Sequence, residues 1–180
     1  FLGYLAGEDI ASGGVDNTYF GHKAGSNNAT GDDNVFIGSN SGKGAHGNSN
    51  SDNVGIGSDC MLAITTGDSN VAIGKSCMTS LTSGDANVAI GMDALGTATT
   101  AEDIIAIGKG AAFAVDNDTA DGTVAIGKSA LVALTSGAGN TAVGFESLKT
   151  ISTGTYCTAV GYEAGELITG SLNTVIGYQA

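Results

Sequence analysis

Apolar positions along the chain recur on a compound rhythm. A short string of the form Asn, β-branched, small, Ile or Val, Gly returns from one end to the other, as in Asn70-Val-Ala-Ile-Gly74, Asn87-Val-Ala-Ile-Gly91 and Asn140-Thr-Ala-Val-Gly144. The closing glycines are Gly21, Gly38, Gly57, Gly74, Gly91, Gly108, Gly127, Gly144, Gly161 and Gly177, with Gly3 in the same role near the start. Their spacing is 18 at the first step, 17 at most others, 19 at two and 16 at the last. The two wider steps are absorbed by the polar stretches 41–50 and 115–122. Self-similarity at one short period marks a solenoid, whose repeats bury their apolar faces only against their neighbours.

Within each repeat the residue before the anchor glycine is apolar and the one two positions earlier is β-branched, as in Val71 and Ile73 or Ile105 and Ile107. That spacing puts both on one face of a short strand. The natural expectation is that this pair, with Ile73, Ile90, Ile107 and Ile126 as its ladder, fills the interior. The small residues between them, Ala72, Ala89, Ala106, Ala125, Ala142 and Ala159, then point outward to a closely approaching second surface. Three residues past the anchor the chain is small again (Ala24, Ser41, Cys60, Cys77, Ala94), and apolar residues return at plus four (Met61, Met78, Leu95) and plus seven (Ile64, Leu81, Leu134). A Thr/Ser-Gly turn commonly follows, at Gly31, Gly67, Gly84, Gly137, Gly154 and Gly170, where positive φ is expected. Seventeen residues are too few for a four-stranded blade and carry no helical period. The fold predicted is all-β: a parallel β-solenoid, or β-roll, of about ten coils of roughly 17 residues, one repeat domain over 1–180. Asn17, Asn34, Asn53, Asn70, Asn87, Asn140 and Asn173 lead the strands, and in such a stack they form a ladder of side-chain amides.

Composition narrows the function. The chain of 180 residues has 30 Gly, no Pro, no Arg, six Lys and 18 acidic residues, for a formal net charge of −12. Its Val and Ile content is too high for an acidic disordered tail, and without a basic patch nucleic acid is not an expected partner. There is no apolar run of about 18 residues, so no membrane insertion is expected within this segment. The missing initiator Met suggests a fragment or a processed chain. His22 and His46 lie in different repeats without an acidic or Cys partner at ligand spacing, and no nucleophile elbow or phosphate loop is present, so no enzyme and no catalytic residue is expected. Cys60 and Cys77 occupy equivalent positions one coil apart, close enough to bond but placed where other coils carry small buried residues, which favours free thiols.

Acidic residues gather at turns. They read either as a solvated face or as hard oxygen ligands for a structural calcium ion, the densest group being Asp116, Asp118 and Asp121; no other cofactor is indicated. The position after the anchor is Lys at Lys75, Lys109 and Lys128 and becomes aromatic at Phe145, Tyr162 and Tyr178, with Tyr4 at the other end. Such a column is open to two readings, stacking on sugar rings or lateral packing between copies. Side-by-side association would hide the Ala face that a thin, small-residue monomer leaves uncovered.

These strings, together with Thr123-Val-Ala-Ile-Gly127-Lys-Ser-Ala-Leu131 and Asn173-Thr-Val-Ile-Gly177-Tyr-Gln-Ala180, resemble the head repeats of trimeric autotransporter adhesins, and still more the repeats of bacteriophage tail fibres. The resemblance spans essentially the whole chain. It implies a parallel homotrimer of β-rolls on a virion tail fibre or at the cell surface, with Val71, Ile73 and their equivalents inside each roll and Ala72 and its equivalents at the subunit interface. It also implies a rigid rod that displays its turns to a receptor, either a cell-surface glycan or a protein. The alternative is a subunit of a self-assembling extracellular filament or matrix. An ice-binding solenoid ranks lower, because the Thr column at 141, 158 and 174 gives way to Val and Ile and is expected to face inward.

Overall fold

The computed structural model describes residues 2–10, 13–116 and 118–180, with the backbone alone at Asp118. Each repeat contributes one three-residue strand: β1 (Thr18–Phe20), β2 (Val35–Ile37), β3 (Val54–Ile56), β4 (Val71–Ile73), β5 (Val88–Ile90), β6 (Ile105–Ile107), β7 (Val124–Ile126), β8 (Thr141–Val143), β9 (Thr158–Val160) and β10 (Thr174–Ile176). They form one parallel sheet in strict chain order. Equivalent residues pair at every rung, so that Val71 meets Val88 and Ile73 meets Ile90. Leu2 carries the pattern one coil further by bridging to Phe20. The chain is therefore a parallel β-solenoid, as its period predicts, and a single 3-10 turn at Asp118–Ala120 takes up one of the wide loops.

The coil closes through backbone geometry that most side chains resist. Every anchor glycine has φ between 131° and 144°, a region open in practice only to glycine. The same glycines stack on each other, and a Cβ on Gly74 would sit 2.6 Å from the carbonyl oxygen of Gly91. Two positions later the chain turns left-handed at Asn40 (φ 55°), Asp59 (φ 55°) and Asp93 (φ 57°), and it does so again before the ladder asparagines at Asp33 (φ 57°) and Asp52 (φ 58°). Asn and Asp tolerate this conformation best among non-glycine residues. A third left-handed column holds Met61, Met78, Leu95, Leu131 and Leu148, where burial of a large side chain offsets the backbone strain.

The Thr/Ser-Gly turn glycines have a different purpose from the one expected. Among them only Gly137, at φ 115°, takes positive φ. At Gly31, Gly67 and Gly84 the next coil lies too close for a side chain: a Cβ would come within 1.8 Å of the Asn50 carbonyl at Gly31 and 2.1 Å of the Ala101 carbonyl at Gly84.

The two faces of the strands are inverted relative to expectation. Ala72, Ala89, Ala106, Ala125, Ala142 and Ala159 are fully buried inside the roll, whereas Ile73, Ile90, Ile107 and Ile126 point out and are only partly covered. The Thr column at 141, 158 and 174 faces outward as well. The physical reason is the width of the coil. The interior already takes one large side chain from the plus-four column and one from the plus-seven column, Met78 and Leu81 in one coil, Leu131 and Leu134 in another. What remains opposite them fits only Ala or Gly. Two coils show the rule by exchange: where the strand centre is Tyr19 or Phe36, the plus-four residue is Gly25 or Gly42, and a Cβ there would collide with the ring at 2.5 Å and 2.3 Å.

Beside this apolar column runs the asparagine ladder. The backbone amide and Nδ2 of Asn70 both donate to Oδ1 of Asn53, at 2.9 and 3.1 Å, and Asn87 does the same to Asn70 at 3.0 Å for each bond. Each Nδ2 also donates to a turn carbonyl, Asn53 to Gly67, Asn70 to Gly84 and Asn87 to Ala101. The ladder stops at Ile104, whose amide still donates to Asn87, and resumes with Asn140 beneath the Cys157 amide.

Candidate functional site

Because the strands carry their β-branched residues outward, the exposed side of the sheet is a flat stripe of Val, Ile and Thr, with Ile73 37 % and Ile105 38 % exposed. Two flanks of different chemistry border it. On the side where the chain enters the strands lie Asp16, Asp33, Asp52 and Asp103, all exposed and all left-handed. On the exit side, just past the anchor glycines, Lys75, Lys109 and Lys128 are exposed. Aromatic rings continue this column: Phe145 and Tyr162 stack with centroids 4.9 Å apart, Tyr162 and Tyr178 at 5.3 Å, and the Lys128 ammonium lies 5.3 Å over the Phe145 ring. Tyr4 is not part of that group; it lies at the opposite end of the rod, stacked on His22 at 5.7 Å. Both faces of Tyr162 are covered by neighbouring rings, so a sugar ring has only the edges of the column and its outermost faces to stack on.

Three further aspartates are bound up in the turns. Asp32 Oδ1 accepts from the Val15 amide at 2.8 Å, Asp68 Oδ1 from Ser51 at 2.6 Å and Asp85 Oδ1 from Asp68 at 2.7 Å. Each carboxylate thus satisfies an amide one coil earlier, which is reason enough for acids at these corners. Asn40 donates to Asp59 at 2.9 Å and holds its carboxyl below the usual carboxylate range, with a smaller contribution from Ser58. His46, expected to stand alone, sets its Nδ1 against the Asp9 carboxylate two coils away, the wide loop 41–50 bringing the two together.

Of the calcium candidates, Asp116 is exposed and Asp121 half-buried, while the Asp118 side chain lies outside the described residues. Among the described residues no group of three or more His, Cys, Asp or Glu is placed to hold a metal ion. Cys60, Cys77 and Cys157 are free and buried; Cys60 and Cys77 donate to the carbonyls of Ala72 and Ala89 at 3.2 and 3.1 Å. Hydrogen bonding with Cys77, together with burial, pushes the Cys60 thiol up. A cleft at the last coil, lined by Glu163, Glu166, Leu167 and Gln179, has its carboxylates occupied: Gln179 donates to Glu163 at 2.7 Å and Lys149 to Glu166 at 3.3 Å.

No family model, curated protein or solved structure matches the chain. Among the described residues no helix is long and apolar enough to cross a membrane. What the geometry offers is an extended, regular scaffold: a roll with one apolar stripe, two charged flanks and repeated turns.

Proposed function

We propose that this chain is a rod segment of a fibre, of the kind found in phage tail fibres and bacterial surface adhesins, that works as a homo-oligomer and displays its turns to a receptor. The observation that carries the reading is the unbroken register of ten coils, each bonded to the next through the sheet and stacked on it through the anchor glycines, with the asparagine ladder added from Asn17 to Asn87. A body built this way resists bending along its length and presents the same loop positions at intervals of about 4.8 Å. Weak contacts repeated on several copies then add up to firm attachment to a glycan or protein surface.

The test combines small-angle scattering with a binding screen. Scattering is expected to give discrete particles with a rod axis of about 45 Å, and the labelled chain is expected to bind a panel of glycans or intact cells saturably. Particles of discrete size that bind nothing would overturn receptor display. Threads that lengthen with concentration would move the reading to a filament subunit.

A further inference from the structure

Past the strands, on the stretch five to eight residues beyond each anchor glycine, the chain has a single phenyl ring, that of Phe113. Phe113 lies five residues past Gly108, and the equivalent residue one coil earlier is Gly96. The ring is laid on that glycine: a Cβ at residue 96 would stand 2.7 Å from Phe113 Cε2 and 2.9 Å from Cδ2. Gly96 is not one of the glycines with positive φ, so the ring, and not the turn, is the first thing a side chain there would meet. One face of the ring is thus spent on backbone, and at 39 % exposure the other is open to solvent. Tyr162, by contrast, is stacked on both faces. A single exposed apolar residue needs no explanation, but a phenyl ring matched to a glycine that seats it flat is a built surface.

The surroundings of the ring select its partner. Residues five and six past the anchors are uncharged through five successive coils, from Leu62 to Ala133, in a chain of net charge −12. Lys43 and Lys149 mark the two ends of this ledge, which is about 20 Å long. Hydroxyls line it. Thr97 Oγ1 donates to the Phe113 carbonyl at 2.8 Å, Thr82 Oγ1 to the Thr99 carbonyl at 2.9 Å and Thr99 Oγ1 to the Asp116 carbonyl at 2.8 Å. Each proton is held along the rod, which leaves the hydroxyl oxygen its lone pairs as a fixed acceptor. An open aromatic face beside fixed acceptors matches a pyranose, whose C–H face stacks on the ring while its hydroxyls donate at the rim. A carboxylated or sulfated sugar is disfavoured, because no lysine lies on the ledge and the field of the whole chain is negative.

We propose that Phe113, seated on Gly96, is the stacking platform of a glycan site, and that the ledge around it takes a neutral sugar chain. This deepens receptor display and rests on it, naming the chemistry of the receptor and the side of the rod that meets it.

Binding of the 180-residue chain to two sets of immobilised sugars tests this: neutral glucans, mannans and galactans, and acidic alginate and polysialic acid. The neutral set is expected to bind saturably. Phe113→Ala is expected to lower that affinity about five- to tenfold, Phe113→Trp to keep it, and Gly96→Val to lower it by tilting the ring, with circular dichroism unchanged in all three. Tyr162→Ala, beside the sheet, is expected to leave it unaltered. Neutral sugars that bind the Phe113→Ala chain as well as the unaltered one place the site elsewhere and overturn the proposal, leaving receptor display intact. Binding confined to the acidic set does the same. Attachment to intact cells that is abolished by protease treatment of the cells, with neither sugar set bound, assigns a protein receptor and overturns the glycan site alone. A chain that binds neither sugars nor cells overturns receptor display and the platform together.

Discussion

Replacing Asn70 with Ala removes the middle of the asparagine ladder at a position where the consequences can be counted. Asn70 Oδ1 accepts the Asn87 backbone amide at 3.0 Å, and its Nδ2 donates to the Gly84 carbonyl at 2.8 Å. Both backbone groups belong to buried residues. The neighbouring side chains fare better: Asn53 Oδ1 keeps the amide of residue 70, and Asn87 Nδ2 keeps the Ala101 carbonyl at 2.6 Å. Two buried backbone groups are therefore orphaned, at about 1–3 kcal/mol each, for a total of about 2–6 kcal/mol. Asn173→Ala is the matched control, since that side chain is only half-buried in the last coil and its bonds to Gly170 and Ser171 are open to water; it should cost less than about 1 kcal/mol. Urea denaturation measures the difference, and hydrogen exchange at the Asn87 amide reports it locally, which matters in a repeat array whose unfolding need not be all-or-none. If Asn70→Ala falls within about 1 kcal/mol of Asn173→Ala, and the Asn87 amide keeps its protection, the ladder is not a stabilising element and the reasoning fails.

Three further outcomes follow from the packing. Phe36→Ala should cost about 3–5 kcal/mol through the cavity it leaves, and adding Gly42→Met should recover part of that, because residue 42 is already left-handed at φ 57°, close to the 49° and 48° of Met61 and Met78 in their coils; thermal melts of both variants measure the coupling. Burial pushes the Tyr19 hydroxyl up to about 12 from 10.0, against the opposing hydrogen bonds from Asn28 and Asn34. Because the folded value is the higher, its contribution is complete below pH ~10 and is lost between about 10 and 12, so Tyr19→Phe should flatten that part of the stability profile. Finally, Cys60, Cys77 and Cys157 should ignore a thiol reagent at pH 8 until the chain is unfolded, since all three are buried and the Cys60 thiol is raised by Cys77 and by desolvation; prompt modification of the folded protein would contradict the burial.

The coil boundaries and the strands were legible because the string before each glycine is both apolar and period-two, so β4 and β5 fall where Val71-Ala-Ile73 and Val88-Ala-Ile90 predict them. The facing of the strands was misread, because alternation defines two faces without naming the inner one, and larger side chains were assigned inward by default. The corrective signal was present in the covariation of sizes: Tyr19 with Gly25 and Phe36 with Gly42, against Ala72 with Met78 and Ala89 with Leu95. Only residues that share an interior compensate each other's volume. The left-handed corners at Asp33, Asn40 and Asp52 could have been inferred from residue type, but those at Met61 and Leu95 could not, since there core packing overrides local preference. The pairing of His46 with Asp9 was out of reach, because it depends on where a wide loop comes to rest.

The glycine stack fixes the unit in which this molecule can change length. Since Gly74 stacks on Gly57 on one side and Gly91 on the other, and every sheet bond likewise reaches one coil in either direction, a duplicated or deleted coil meets familiar neighbours on both sides. A shift by any other number of residues sets a side chain against a carbonyl where none fits. Tandem duplication can therefore lengthen the shaft, and recombination shorten it, in whole coils of about 4.8 Å, leaving the surviving turns as they were and making reach an inheritable quantity that varies independently of what the turns recognise.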